Sequence, residues 1–149
     1  MEHFYIEISS CEEMHELGAK LASKMPNGTV IGLLGDLGAG KTTLVRGVAK
    51  ALHINEVVQS PTFNIMKLYL KGDKPLIHID AYRLADLNTD IGLDEYIGYE
   101  TGLTMIEWPL FIEKLLPENT LLIDIKNTGD TNRHIDIYSS DIKLVEALK

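Results

Sequence analysis

A glycine-rich octapeptide is the segment of this sequence whose residue types and spacing are best suited to chemistry. It matches the pattern GxxxxGK[ST] and reads Gly35-Asp36-Leu37-Gly38-Ala39-Gly40-Lys41-Thr42. Glycines let the backbone turn so that several N–H groups converge on phosphate oxygens, and a following helix adds its partial positive charge. Lys41 can then reach the β and γ phosphates, and the Thr42 hydroxyl can ligate Mg²⁺. The octapeptide predicts a P-loop in which residues 35–43, Thr43 included, bind a nucleotide.

The flanking sequence strengthens this prediction. An apolar run at residues 29–34 is typical of a buried central strand, and residues 44–52 carry the apolar stripe of a helix. A strand, a glycine-rich turn and a helix in this order favour a P-loop over the alternative, an ordinary glycine-rich turn with a surface lysine.

Acidic residues accompany three of the apolar runs. Hydrolysis needs a carboxylate near the metal and an acceptor that orients the attacking water. Asp80 and Glu107 each end a run and are equally good candidates. Asp124 is a weaker candidate, because its run continues into Ile125. A solvated acid at a strand end is the alternative for each.

A further hydroxyl lies in the segment between the octapeptide's helix and the middle of the chain. Pro61 biases Ser60 toward an extended backbone, and Thr62 follows where nucleotide-sensing loops carry a threonine. An ordinary loop hydroxyl is the alternative.

The elements that must position these residues alternate between strands and helices. Ser10 and Glu13 predict a capping box at the start of the first helix, and residues 71–75 predict the turn of a hairpin. Strands are expected at 3–8, 29–34, 63–70, 76–80, 103–107, 120–125 and 133–138. Helices are expected at 10–25, 44–52, 109–116 and 141–148, with a helical segment near 93–97. We expect one α/β domain over residues 1–149, a P-loop NTPase-like mixed β-sheet with an antiparallel hairpin and helices on both faces.

The composition is that of an ordinary globular protein. The 149 residues are 45% hydrophobic and 24% charged, as expected for a single core. No stretch reaches the ~18 apolar residues of a membrane helix, and the first residues lack the features of a signal peptide. Cys11 is the single cysteine, which excludes an internal disulfide. We therefore expect a cytoplasmic protein with no membrane contact.

Charge limits the classes of partner and of reaction. The net charge of −8 disfavours direct binding to nucleic acid, so any contact with RNA is expected through another subunit. A small-molecule P-loop kinase is a less favoured alternative, because such enzymes use several arginines and this chain has Arg46, Arg83 and Arg133. Residues 126–130 do not supply the Asn-Lys-x-Asp order of a GTPase. A nucleotide-gated binding module with negligible turnover remains open, since it differs from an ATPase only in rate.

Four motifs in one order resemble the TsaE family, the P-loop ATPases of bacterial tRNA threonylcarbamoyladenosine biosynthesis. The resemblance runs from about residue 5 to about residue 138. The motifs are the octapeptide continued through Thr43-Leu44, then Ser60-Pro61-Thr62-Phe63, then His78-Ile79-Asp80-Ala81-Tyr82-Arg83-Leu84, and then Glu107-Trp108-Pro109.

The resemblance implies a weak, Mg²⁺-dependent ATPase that converts ATP to ADP and phosphate. It also implies action with the TsaB and TsaD proteins, of which TsaD carries the transfer chemistry, beside the anticodon of ANN-decoding tRNAs. The tRNA would be contacted only through that complex. Apart from Arg83, the sequence shows no candidate for an arginine finger. We therefore expect slow hydrolysis by the protein alone and faster turnover in the assembly.

By motif position, the resemblance also assigns roles. Thr42 and Glu107 would be the Mg²⁺ ligands, Lys41 the phosphate clamp, and Asp80 the residue that orients the water or the metal shell. Thr62 would belong to a switch-like loop.

The family's adenine contacts correspond to looser matches at Ser10, Cys11 and Arg133. A helix cap and a strand-edge charge are the alternatives there. His78 is either catalytic or a satisfied, partly buried histidine. Arg83 contacts phosphate or a partner, or pairs with a nearby acid.

Overall fold

A seven-stranded mixed sheet forms the frame of the molecule. The computed structural model describes residues 2–59, 65–86 and 92–149. The strands are β1 (Glu2–Ile8), β2 (Val30–Leu34), β3 (Met66–Tyr69), β4 (Leu76–Asp80), β5 (Leu103–Glu107), β6 (Leu121–Gly129) and β7 (Asn132–Ser139). They lie side by side in the order β1-β7-β6-β2-β5-β4-β3. The α/β class and the mixed sheet predicted from the sequence are confirmed.

The sheet is parallel in its centre and antiparallel at both sides. Strands β6, β2, β5 and β4 are parallel neighbours, and β3 pairs antiparallel with β4 as the predicted hairpin. The predicted start of β3 at residue 63 lies outside the described residues. On the opposite side β7 pairs antiparallel with both β6 and β1, an arrangement that local patterns did not indicate. Strand β6 also runs four residues beyond the predicted end at 125, to Gly129.

Helices cover both faces of the sheet, as expected. The three α-helices are α1 (Cys11–Lys24), α2 (Lys41–Ala51) and α3 (Ile142–Glu146). They share one core cluster with the apolar residues of one sheet face. Three 3₁₀ segments, Tyr82–Asp86, Leu93–Glu95 and Pro109–Leu115, accompany the cluster on the other face. The predicted helix at 109–116 is thus a 3₁₀ segment, with non-helical backbone at Ile112 (φ −128°, ψ 36°).

The start of α1 follows the predicted capping arrangement with one change. The Ser10 hydroxyl accepts a hydrogen bond from the Glu13 amide at 3.1 Å. The Glu13 carboxylate in turn accepts from the Ser9 amide at 3.0 Å. One amide of the first turn and one amide that precedes the helix are therefore satisfied, which stabilises the start of α1 at this point.

Among residues 2–59, 65–86 and 92–149, the helices are all too short or too polar to span a lipid bilayer.

Candidate functional site

The site lies where three parallel strands end. Strands β2, β5 and β4 are adjacent and parallel, so their carboxyl ends share one edge of the sheet. In register, Glu107 of β5 stands opposite both Leu33 of β2 and Asp80 of β4. The glycine-rich octapeptide follows β2 at this same edge, where α/β sheets bind ligands. The topology therefore brings the predicted loop and both favoured carboxylates together.

Side-chain alternation directs the acids toward the loop. In β4, Ile77 and Ile79 pack in the core on the 3₁₀ side. His78 and Asp80 alternate with them and point to the side of the α-helices. Asp124 lies instead in β6, where it lines a separate cavity of about 310 Å³ with His3, Asp136 and Tyr138. Asp124, the weakest of the three candidate acids, therefore lies in a cavity other than the one beside the loop.

The loop has a backbone that glycine makes possible. Gly35, Gly38 and Gly40 have φ values of +145°, +80° and +117°. A Cβ at Gly35 would lie 2.6 Å from the carbonyl oxygen of Ile125, whereas a Cβ at Gly38 would meet open space. The loop is thus pressed against β6 at its start and open toward the cavity at its tip.

Lys41 begins α2 and is 4% exposed. Its ammonium donates to the carbonyl oxygen of Gly35 at 2.7 Å and lies 3.6 Å from the centroid of the Trp108 ring. Burial lowers the pKa of the Lys41 ammonium below its ordinary value, although nearby carboxylates oppose the shift. These carboxylates belong to Glu107, Asp80 and Asp36. A buried cation of this kind gains strongly from an added anion.

The carboxylate of Glu107 connects the loop to β4. Its Oε2 atom accepts a hydrogen bond from the Thr42 hydroxyl at 3.1 Å and lies 2.6 Å from Nε2 of His78. Glu107 is 4% exposed and His78 is fully buried. The carboxylate of Asp80, also 4% exposed, accepts from the amide of Tyr82 at 3.0 Å. Glu107 is thereby held against the loop threonine, and Asp80 stands beside it.

A cavity of about 570 Å³ unites most of the predicted residues. Its walls are Leu37, Gly38, Gly40, Lys41, Thr42, Thr43, Asp80, Tyr82, Glu107 and Trp108. The aromatic part of the wall was not predicted as part of the site. Tyr82, Trp108 and Phe111 form one cluster with ring centroids 5.1 to 6.1 Å apart. The sequence signal was weak, since an aromatic residue after a strand-end acid is more often a packing residue.

The residues proposed for adenine contacts do not line this cavity. The Arg133 guanidinium donates through Nε to the carbonyl oxygen of Ala39 at 2.7 Å, so it reaches the loop from β7. Ser10 caps α1, and Cys11 is exposed with its Sγ 4.0 Å from Nε2 of His15. Ser10, Cys11 and Arg133 therefore remain predictions as adenine contacts. Thr62 lies outside the described residues.

The oxygens of Thr42 and Glu107 suit Mg²⁺ in type and in spacing. Mg²⁺ prefers hard oxygen ligands in an octahedron at about 2.1 Å, in which neighbouring ligands are about 3 Å apart. The separation of 3.1 Å between Thr42 Oγ1 and Glu107 Oε2 fits two such positions. In the described part of the chain, no three His, Cys, Asp or Glu side chains form a metal site by themselves. Phosphate oxygens and water would have to complete the coordination, as is usual for Mg²⁺ with a nucleotide.

The fold and the site define an α/β protein with a mixed sheet and a glycine-rich loop at the carboxyl edge of its parallel strands. The chain belongs to the TsaE family. The family model for threonylcarbamoyl adenosine biosynthesis protein TsaE matches residues 8–135. The family's role is in the biosynthesis of threonylcarbamoyladenosine on tRNA.

Curated relatives and a solved structure agree with this assignment. The tRNA threonylcarbamoyladenosine biosynthesis protein TsaE of Bacillus subtilis is 45% identical over 124 residues, which cover 83% of this chain and 78% of that protein. The protein of the same name from Treponema pallidum is 38% identical, with coverage of 86% and 95%. The crystal structure of Bacillus subtilis YdiB superposes with a TM-score of 0.84 at 35% identity, over 99% of this chain and 94% of that one.

Proposed function

We propose that this protein binds ATP and Mg²⁺ at residues 35–43 and hydrolyses ATP slowly, in support of threonylcarbamoyladenosine formation on tRNA. The observation that carries the proposal is the pair of oxygens on Thr42 and Glu107, 3.1 Å apart beside the buried ammonium of Lys41. A cation, two hard oxygen ligands and a helix start on one cavity match the needs of a triphosphate with its metal.

Phosphate binding would use the loop's backbone and Lys41 together. The N–H groups at the start of α2 carry partial positive charge, and Gly38 leaves the tip of the loop open for an anion. The Lys41 ammonium would donate hydrogen bonds to oxygens of the β and γ phosphates, either in place of its bond to the Gly35 carbonyl or in addition to it. Charge-assisted hydrogen bonds of this kind contribute about 1.5–3 kcal/mol each.

Thr42, in the first turn of α2, and Glu107, at the end of β5, would hold Mg²⁺. When bound, the ion neutralises charge that develops on the phosphate oxygens. Asp80, opposite Glu107 in the sheet, would accept a hydrogen bond from the attacking water and orient it. We assign binding of the metal to Glu107 because Thr42 contacts Glu107, and orientation of the water to Asp80.

Hydrolysis by the isolated protein is expected to be slow, because none of its three arginines lines the cavity. The Arg46 guanidinium donates to Val58 O, Arg133 donates to Ala39 O, and Arg83 is exposed. An arginine finger is worth about 10³–10⁵ in rate. We propose that a partner supplies the missing stabilisation, and that hydrolysis switches the loop bearing Thr62 and thereby changes affinity for that partner.

The proposed partners are the TsaB and TsaD proteins of the modification machinery, with tRNA contacted only through them. The net charge of −8 is consistent with an indirect contact, since an acidic surface repels the tRNA backbone. The cytoplasm is the proposed compartment.

Phosphate release tests this proposal. The purified protein with Mg²⁺ and ATP should release phosphate slowly, and addition of TsaB and TsaD should raise the rate. Equal rates in both conditions would remove the activation by partners. Tight binding without release in either condition would instead favour a nucleotide-gated binding module. A preference for GTP over ATP would contradict the proposed substrate.

A further inference from the structure

His78 is a polar side chain in a strand that is otherwise suited to apolar residues. It is fully buried in β4, where every residue is buried and Ile77 and Ile79 flank it. The Nε2 atom of its imidazole lies 2.6 Å from Oε2 of Glu107. The other ring nitrogen, Nδ1, has no hydrogen-bond partner among the residues that the structure describes.

The position of the proton follows from these contacts. A carboxylate oxygen accepts hydrogen bonds, so in this contact Nε2 of His78 is the donor and Oε2 of Glu107 the acceptor. The geometry therefore assigns the proton of this hydrogen bond to Nε2.

If this position served packing alone, an apolar side chain would stabilise the fold more than a histidine does. A buried polar atom without a partner calls for an explanation, and an apolar side chain of similar size would avoid it. What the imidazole provides is one short hydrogen bond to Glu107. That bond falls on Oε2, the same oxygen that accepts from Thr42. The carboxylate is thus held by His78 on the β4 side and by Thr42 on the loop side.

We infer that His78 is a positioning residue that fixes the Glu107 carboxylate in the orientation needed to hold Mg²⁺. The inference rests on the proposed function, because it gives Glu107 the metal. The orientation of Glu107 is set before the ion arrives, so its binding does not have to order a free side chain. Partners of this kind typically contribute about 10–100-fold to metal affinity.

The proton position can be measured without nucleotide or metal. In the full chain with ¹⁵N-labelled histidine and EDTA, we expect a slowly exchanging proton on Nε2 of His78, protected by its hydrogen bond to Glu107. The lack of a proton on Nε2, or exchange as fast as that of an exposed histidine such as His53, would overturn the inference. This measurement needs no variant and stands even if substitutions at His78 prevent folding.

Variants separate positioning from packing. His78→Leu fills the space without a donor, and His78→Gln retains a donor that can reach Glu107. Leu76→Val, on the same face of β4 and fully buried, is the matched control for a core change. For each protein the affinity for a non-hydrolysable ATP analogue is measured by calorimetry, once in EDTA and once in Mg²⁺.

The ratio of the affinity in Mg²⁺ to the affinity in EDTA tests whether His78 positions Glu107. We expect the gain from Mg²⁺ to fall about 10–100-fold in His78→Leu, to be largely restored in His78→Gln, and to be unchanged in Leu76→Val. The affinity in EDTA should be similar in all four proteins. An unchanged gain in His78→Leu would overturn the positioning role alone. No gain from Mg²⁺ in the wild-type protein would instead contradict the proposed function.

Discussion

The ammonium of Lys41 donates a hydrogen bond to the carbonyl oxygen of Gly35, 2.7 Å away at the other end of the same loop. This contact joins the two ends of residues 35–41 and brings the positive charge to the first residue of the loop. The indole of Trp108 covers the ammonium on its second side, 3.6 Å from the ring centroid. The loop thus offers a buried cation in a fixed position, which is what recognition of a polyanion requires.

Replacement of Lys41 tests the role of this cation. Lys41→Ala removes the charge and its hydrogen bonds, and loss of two charge-assisted bonds at about 1.5–3 kcal/mol each predicts at least about 100-fold weaker ATP binding. Lys50→Ala, in the last turn of the same helix and exposed, is the matched control and should bind ATP normally. Calorimetry on both variants measures the effect. Wild-type affinity in Lys41→Ala would place the nucleotide elsewhere.

Two of the three loop glycines, Gly35 and Gly38, provide a paired test of the backbone. Gly35→Ala places a Cβ 2.6 Å from the carbonyl oxygen of Ile125, so the loop or β6 must shift. Gly38→Ala meets open space and bears only the cost of a left-handed backbone, about 1–2 kcal/mol. Urea unfolding should therefore show a larger loss of stability for Gly35→Ala, accompanied by weaker nucleotide binding. Equal losses in the two variants would argue against a loop pressed onto β6.

Substitutions of Asp80 and Glu107 are predicted to have different effects on nucleotide binding and on hydrolysis. Asp80→Asn should leave affinity for Mg²⁺ and ATP near that of the wild type and lower phosphate release in the assembly by about 10²–10⁴-fold, because it removes the water's acceptor. Glu107→Gln should mainly weaken the dependence of binding on Mg²⁺. Binding and single-turnover rates separate the two. The assignment fails if Asp80→Asn loses the Mg²⁺ dependence and Glu107→Gln keeps it.

His134, which does not line the cavity of the site, makes stability depend on pH. The imidazole of His134 is paired with the Glu7 carboxylate and lies 3.3 Å from Asp136. The hydrogen bond to Glu7 raises the pKa of His134, and the charges of Glu7 and Asp136 act in the same direction, against a smaller opposing effect of burial. A raised pKa in the folded state means that His134 stabilises the fold below its unfolded pKa of about 6.5. That contribution is lost as the pH rises through the raised pKa.

The melting temperature of wild type and His134→Gln across the neutral range measures this effect. The wild type should exceed the variant at mildly acid pH, and the difference should shrink as the pH rises. The difference in melting temperature should be small, since the ring is partly exposed and its charge is screened by solvent. A difference that grows as the pH rises would contradict the raised pKa of His134.

Asp136 makes stability depend on pH in the opposite sense, at acid pH. Burial raises the pKa of Asp136, but hydrogen bonds and charges from His3, His134 and Lys126 lower that pKa overall. The stabilisation that Asp136 contributes is therefore lost only as the pH falls below the usual pKa range of an aspartate.

Local sequence patterns were sufficient for most elements. The Ser10 cap and the apolar spacing behind it predicted α1, and alternating or continuous apolar runs located the strands to within a few residues. The hairpin of β3 and β4 was visible because its turn lies between two adjacent runs. These are features that depend on neighbours in the chain, which a sequence displays directly.

Contacts between distant segments were not predictable in the same way. Arg133 and Ala39 are 94 residues apart, and they meet only because β7 lies between β1 and β6. His78 and Glu107, 29 residues apart, are joined by the register of β4 and β5. Register depends on packing between strands, which no local pattern states. The same holds for Trp108, whose left-handed backbone (φ 57°, ψ 51°) accompanies its place over Lys41.

A crystal structure of the protein with Mg²⁺ and a non-hydrolysable ATP analogue tests the central claim most directly. The account predicts phosphate density within hydrogen-bond distance of the backbone N–H groups of residues 38–42 and of Lys41 Nζ, with the metal bound to Thr42 and Glu107. Phosphate density at any other place on the molecule, with this loop empty, would contradict it.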